Sequence, residues 1–367
     1  MIAFGIMTLS MESESGYINE MAVLAADCGI DCYRFIPSKI NPHSLQVQGK
    51  KFDSVKRQWA DQEFILPSLI YDRCFYGDDR HSKQCMPIVS WLKSRADITF
   101  LGYGLPNKME LYQALNSSVL AAYLPSTQLI KDTKTVVQEL DKLKKLIIKP
   151  INGSQGYGIY YLQKISKTYL VKTEKNKEMI SRAFPNTTKL TSWLRTLITQ
   201  RSYLLQPYLE LSNAELQPFD IRILLQKNEL GDWVERGKGV RIGNKAGLLS
   251  NLSAGGSSLD FSTWTEALPV TKKELICNEI DYIIKQLPAL LERKFLPLFE
   301  IGIDIGIAKN GTIWILDVNS KPGRKVILQT QSTLNETLLR APLLYGKHLF
   351  DNNSKERKSY SEKTLYY

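Results

Sequence analysis

The stretch that most constrains the fold is 300–324, EIGIDIGIAKNGTIWILDVNSKPGR. Two apolar runs, 299–308 and 312–318, flank Lys309-Asn310-Gly311, and Asn-Gly is a strong hairpin-turn signal because both residues tolerate positive φ. Side chains two apart on a strand share a face. Asp317 and Asn319 therefore aim together, and pairing around the turn brings Asp304 across from them. Three oxygen donors at one end of a short sheet suit Mg²⁺, which takes one or two carboxylates and leaves its other positions to phosphate and water. A plain hairpin with its polar residues in solvent fits the segment as well, so its chemistry has to be argued from the rest of the chain.

A chain of 367 residues with 43% apolar content can bury a large core, in two or three domains. No apolar run reaches the ~18–20 residues of a membrane span. The start MIAFGIMTLS lacks a basic leader and a small-residue cleavage site, so it reads as a first strand, and a cytoplasmic protein is expected. The five cysteines (28, 32, 74, 85, 277) form no CxxC pair, which fits reduced thiols. The three histidines (43, 81, 348) show no ligand spacing, which argues against zinc and against histidine-based nucleophilic catalysis. Net charge is +11, with seven Lys/Arg against two Glu between 163 and 190. That balance suits nucleotide phosphates, nucleic acid or an acidic polymer, and equally a solvated lysine-rich surface. No RNP-like motif, helix-turn-helix spacing or zinc finger is present, so no specific nucleic-acid function is expected.

Residues 1–104 alternate strand-like runs (1–9, 31–36, 64–72, 98–101) with helix-like ones (17–28, 91–95), the pattern of a small parallel α/β domain. Arg73, Cys74 and Tyr76 follow its third strand, where such sheets bind ligands. Asn107 can cap a helix running to 115, with Glu110 completing a capping box. Lys108 then sits in the first turn, where the macrodipole disfavours a cation, which points to a separate role. An amphipathic helix over 132–144 feeds LIIKPINGSQGYGIYYL (146–162), a strand, a loop with three glycines and a resumed β run. Such a loop can present backbone N–H groups to phosphates, and Lys149 can reach phosphate as a point charge. The loop is neither a Walker A motif nor GxGxxG, and taken alone it also fits a flexible connection. Farther on come a helix at 193–201, the connector QPYLEL, and a strand at 218–226. There Asp220 and Arg222 share a face as an exposed ion pair. Strands continue to Arg241, followed by the small-residue loop from Asn251 and a helix over 272–295. The tail after Asp351 reads as loosely ordered in part.

In order, Lys108, Lys149 with its glycine loop, the QPYL connector, the DIR strand and Asp304…Asp317-Val-Asn319 resemble the ATP-grasp superfamily. The stretches NKMELY, KPINGSQGYGI, FDIR, NLSAGG and DVNSKPGR are more narrowly similar to the YheC/YheD group of endospore coat-associated proteins, over about 105–340. The resemblance implies an α/β (α+β) chain: an ATP-grasp domain at 105–345, preceded by an N-terminal α/β domain at 1–104 and followed by a polar tail at 346–367. It implies ATP with Mg²⁺ (or Mn²⁺) as ligands. Lys108 and Lys149 would hold the α- and β-phosphates under the loop of Gly153, Ser154, Gly156, Tyr157 and Gly158. Gln206, Pro207, Tyr208 and Leu209 would face adenine, Glu210 the ribose, and Asn251 the nucleotide. Arg222 and Arg241, with Lys149, would serve the reacting centre, and Asp304, Asp317 and Asn319 would bind the metal. The superfamily more often has Glu at the place of Asp317. The implied activity is ligation of an unidentified carboxylate to an amine-like nucleophile through an acylphosphate. The other possibility is a non-catalytic nucleotide-binding coat component. Coat proteins or an acidic polymer are the implied partners.

Overall fold

A computed structural model describes residues 1–153, 156–175, 178–213, 215–245, 247 and 255–364, with 353–364 given by backbone alone. Three sheets organise the described residues. In the first, β1 (Ile2–Met7), β2 (Ile30–Phe35), β5 (Leu69–Asp72) and β6 (Thr99–Phe100) run parallel, and the hairpin β3 (Gln46–Asp53)–β4 (Gln58–Ile65) extends it antiparallel, in the order β4-β3-β2-β1-β5-β6. Helices α1 (Ser15–Ala25) and α2 (Arg80–Ser94) accompany it. The run expected as one strand over 64–72 is two. Pro67 cannot donate to a ladder, so the chain leaves the edge strand β4 there and restarts inside the sheet as β5.

The second sheet follows α3 (Lys108–Asn116). It comprises β7 (Gln128–Leu129), β8 (Lys145–Pro150), β9 (Tyr160–Ile165), β10 (Thr168–Lys175), β11 (Glu178–Phe184) and β12 (Tyr203–Pro207), in the order β11-β10-β9-β8-β12-β7. Helices α4 (Thr133–Leu143) and α5 (Thr187–Gln200) seal one face, with Val136, Leu140, Leu190 and Leu194 against Leu146, Ile148 and Val171. Asn107 caps α3 as expected, accepting from the N–H groups of Met109 and Glu110. The basic stretch 163–190 is largely the meander β9–β10–β11. Its lysines mask an alternation in which only Tyr169, Val171 and Phe184 turn inward.

In the third sheet β13 (Phe219–Lys227), β14 (Trp233–Ile242), β15 (Ser257–Asp260), β16 (Glu300–Ile307) and β17 (Ile313–Asn319) lie in the order β15-β14-β13-β16-β17. The β16–β17 hairpin turns at Gly311 (φ +87°) and sets Asp304 opposite Asp317, as its sequence predicts. After the short α6 (Phe261–Glu266), α7 (Val270–Lys294) carries Ile276, Ile280, Ile283, Leu287 and Leu291 at helical spacing onto Ile221, Ile223, Ile301, Ile303 and Ile305. Alternation then turns Asp220, Arg222, Gln226, Glu300 and Asp304 to the opposite face. That face is roofed by residues 320–324 and α8 (Lys325–Thr330). Cβ atoms at Gly302, Gly237 and Gly239 would lie 2.6 Å from Pro322 Cβ, 2.8 Å from Ile327 and 2.7 Å from Val326. Of the segment expected as a loose tail, residues 352–364 are the end of α9 (Asn335–Thr364), whose Leu339, Ala341, Leu343 and Tyr345 join the core of the first sheet with Phe4, Ile6 and Met21.

Buried charges fasten the first unit to the third sheet. Arg73, without exposure, donates to Glu14 (2.6 and 2.8 Å) and to Glu300 (2.5 Å), and Arg324 reaches Glu14 at 3.0 Å. Lys321 donates to Asp72 (2.6 Å) and to the Cys74 carbonyl (2.8 Å), with Lys93 on the second Asp72 oxygen at 2.8 Å. Arg73 and Cys74 are thus internal ties and lie buried. Burial alone pushes the Asp72 carboxyl up, yet Lys321 and Lys93 hold it well below the usual carboxylate range. A depressed folded pKa contributes stability above the unfolded value of ~3.9 and loses it as pH falls. Asp72→Asn is therefore expected to destabilise by about 3 kcal/mol at neutral pH. That gap should shrink below about pH 4 in urea unfolding; a pH-independent gap contradicts the assignment.

Candidate functional site

Residues distant in sequence meet between the second and third sheets. Leu146 and Ile148 of β8 face the helices, so alternation turns Lys149 the other way, across from Leu204 of β12 and toward β17. Its ammonium donates to the Leu316 carbonyl at 3.3 Å. Burial pulls the Lys149 pKa down to about 8; the Asp317 charge opposes this shift and Lys108 adds to it. Lys108, at the first position of α3, donates to Asp317 Oδ1 at 2.5 Å. This explains a cation placed against the helix dipole: its partner is on another element. Asn319 Nδ2 approaches the second Asp317 oxygen at 3.4 Å. Lys108, Lys149, Gln206 and Asp317 line one cleft of about 40 Å³, with Leu111, Leu204 and Ile315 as apolar wall.

Beside it runs a ladder of buried ions fixed by strand register. Asp220 is opposite Arg241, Arg222 opposite Asp304, and Asp304 opposite Asp317. Arg222 clamps Asp304 with two bonds (2.6 and 3.1 Å), and Arg241 clamps Asp220 (2.6 and 2.5 Å) while reaching Asp304 at 2.9 Å. Burial raises the Asp304 carboxyl, but the two guanidinium groups outweigh it and keep its pKa low. The exposed Asp220–Arg222 pair expected along one strand is therefore corrected: both residues are buried, and each pairs across strands. Directly opposed side chains are about 4.5–5.5 Å apart at Cβ, closer than residues two apart along a strand.

The other expected residues distribute unevenly. Gln206 is anchored by its amide to Thr127 Oγ1 (2.6 Å). Pro207 ends β12, Tyr208 packs edge-on against Tyr161 (centroids 4.9 Å apart), and the Leu209 carbonyl accepts from Leu211 N–H. Glu210 lies at the surface, paired with Lys145 at 3.1 Å. Gly156 and Gly158 take left-handed φ values of 80° and 76°, the conformation that favours glycine; Gly153 accompanies them and Tyr157 is exposed. Ser154 and Asn251 lie outside the described residues. Sequence reasoning missed Asp220 as the partner of Arg241 and the Lys108–Asp317 bond. The signal for the first was the period-two spacing of Asp220 and Arg222; for the second, only the misplaced charge of Lys108.

Among the described residues no group of three or more His, Cys, Asp or Glu gathers into an all-protein metal cage. The donors at hand are the half-exposed Asp317, the Asn319 amide and what Asp304 retains beside its arginines. This hard, incomplete oxygen set fits a magnesium ion that keeps phosphate and water in its other positions.

Two sheets facing across a cleft behind a parallel α/β unit form the ATP-grasp fold. The structure aligns with D-alanyl-alanine synthetase A of Vibrio cholerae over 94% of this chain and 98% of that one (TM-score 0.53, 11% identity). It aligns with the D-alanine-D-alanine ligase of Coxiella burnetii over 98% and 99% (TM-score 0.50, 10% identity). Residues 97–349 match the YheC/D-like ATP-grasp family, and the chain belongs to that family. It is 39% identical to the endospore coat-associated protein YheC of Bacillus subtilis over 97% of this chain and 98% of that one. To the coat-associated protein YheD of the same organism it is 25% identical over 87% and 71%.

The ladder makes a direct stability prediction. Asp220→Ala strands part of a buried guanidinium and is expected to cost on the order of 3 kcal/mol, whereas the apolar double replacement Asp220→Leu/Arg241→Met recovers most of it. Chemical unfolding of the three proteins measures this; equal losses in the single and double variants contradict it.

Proposed function

We propose that this chain is a Mg-ATP-dependent ligase that joins a carboxylate to an amine, in a protein associated with the spore coat. The convergence of Lys108, Lys149, Gln206 and Asp317 on one cleft, from four separate segments, carries the reading. Lys149 and Lys108 supply positive charge for phosphate oxygens, and the apolar wall suits a base. Gly153, Gly156 and Gly158 can offer backbone N–H groups over the phosphates. Asp317 and Asn319, backed by Asp304, are the residues to hold Mg²⁺ or Mn²⁺, which supplies charge neutralisation at the phosphates when bound. Lys108 and Asp317 occupy each other across this cleft, so binding separates them: the ammonium passes to phosphate and the carboxylate becomes free to ligate.

In the reaction a substrate carboxylate oxygen attacks the γ-phosphorus, the bond from that phosphorus to the bridging oxygen breaks, and ADP leaves. The amine nitrogen then attacks the acyl carbon, releasing inorganic phosphate and a proton. No side-chain nucleophile takes part, and the chain's share is positioning and electrostatics. Arg222 and Arg241 hold positive charge beside the reacting centre in fixed orientation. No described helix is long and apolar enough to cross a membrane. A cytoplasmic protein that joins coat proteins or an acidic polymer at the spore surface fits the coat-associated relatives. Their designation also favours a second reading, a nucleotide-binding coat component without turnover.

At about 100 times its dissociation constant MgATP stabilises a native protein by roughly 2.7 kcal/mol. The wild type is expected to show the corresponding rise in unfolding temperature, and Lys149→Ala and Asp317→Ala to lose it; no rise in the wild type contradicts nucleotide binding. Phosphate and ADP released only with a carboxylate and an amine present, and abolished in Asp317→Ala, distinguish the ligase from the binding-only component.

A further inference from the structure

Strand β11 ends the second sheet with β10 on one side and, among the described residues, nothing on the other. Residues 178–183 are exposed on both faces, including the apolar Met179 and Ile180. Its pairing with β10 is unbroken from Tyr169↔Phe184 to Lys175↔Glu178, without bulge or proline, so the free edge is regular. A regular edge offers a row of backbone donors and acceptors to another extended chain, and proteins usually interrupt such edges.

The charge around this edge selects the partner. The stretch 163–190 holds seven cations and two acids, 7 − 2 = +5 of the chain's +11. Lys164 is satisfied by Asp141 at 2.6 Å. Among the described residues Lys167, Lys172, Lys175 and Arg182 have no carboxylate within ion-pair distance; Arg182 rests instead over the Phe184 ring at 4.8 Å. β11 itself carries one acid, Glu178, and one cation, Arg182, so a second copy of this edge would leave the flanking lysines of β10 without a counter-charge. Single-stranded nucleic acid needs aromatic platforms for its bases, and the exposed side chains of β10 and β11 include none. An acidic peptide in extended conformation satisfies both the backbone edge and the unpaired cations.

We propose that β11 is a docking edge for an acidic peptide segment of a partner protein, which adds to the second sheet as a further strand. This surface is independent of the nucleotide cleft. The test is fluorescence anisotropy on the full chain with a short labelled peptide alternating glutamate with threonine and valine. Three comparisons accompany it: the same peptide N-methylated at alternate residues, an oligothymidylate, and the exposed double variant Lys175→Glu/Arg182→Glu with its unfolding temperature checked. The expected result is saturable peptide binding that weakens at least roughly tenfold on N-methylation, which removes pairing and keeps charge. The double variant should lose affinity and show a flatter salt dependence. No binding overturns the proposal. So does equal binding of the N-methylated peptide or the oligothymidylate, which would leave only a diffuse attraction for polyanions.

Discussion

The site rests on Asp304 buried between two arginines. A carboxylate withdrawn from water is strongly disfavoured unless it is paired and hydrogen-bonded. Here Arg222 and Arg241 supply the pairing, and Asp220 completes the set on the far side. The four residues are neutral together, and their order follows from the register of β14, β13 and β16. With that ladder neutral, the cleft beside it holds Lys108 and Lys149 against Asp317, 2 − 1 = +1. The excess is what an incoming anion meets.

The same polar face connects this ladder to the first unit. Glu300, Gly302 and Asp304 are successive outward positions of β16. Gly302 lacks a side chain where Pro322 crosses, so residues 320–324 can pass between the two charged groups. On one side lies the ladder; on the other, Glu300 receives Arg73, Tyr71 and Gln226. The loop after Asn319 is held by Lys321 and Arg324 to Asp72 and Glu14. The segment following Asp317 and Asn319 is therefore fixed by the first domain, and a displacement there acts on the site through a few buried ion pairs.

Much of this was legible in the chain. The Asn-Gly turn and the alternation around it specified the hairpin, the opposition of Asp304 and Asp317, and the buried faces of β16. The spacing of isoleucine and leucine in 270–294 specified α7, and Asn107 specified the start of α3. Other parts were hidden for physical reasons. Lysines on both faces of β10, and polar residues through β11, obscured a two-residue period that only Tyr169 and Val171 carry. Whether Asp220 pairs with Arg222 or with Arg241 depends on which strands become neighbours, a non-local fact. Arg73 looked like a ligand contact because sequence cannot show that Glu14 and Glu300 arrive beside it. The continuation of α9 was hidden by its polar composition, since its burial lies at Leu339, Ala341 and Leu343 rather than along its length.

On the proposed function, nucleotide binding exchanges the partners of Lys108 and Asp317 while the arginine ladder stays in place. A crystal structure with magnesium and a non-hydrolysable ATP analogue tests it most directly. The expected result is Lys108 and Lys149 on phosphate oxygens, Asp317 and Asn319 at the metal, and Arg222 and Arg241 still clamping Asp304 and Asp220. A nucleotide bound elsewhere, or one bound with Lys108 still on Asp317, would contradict it.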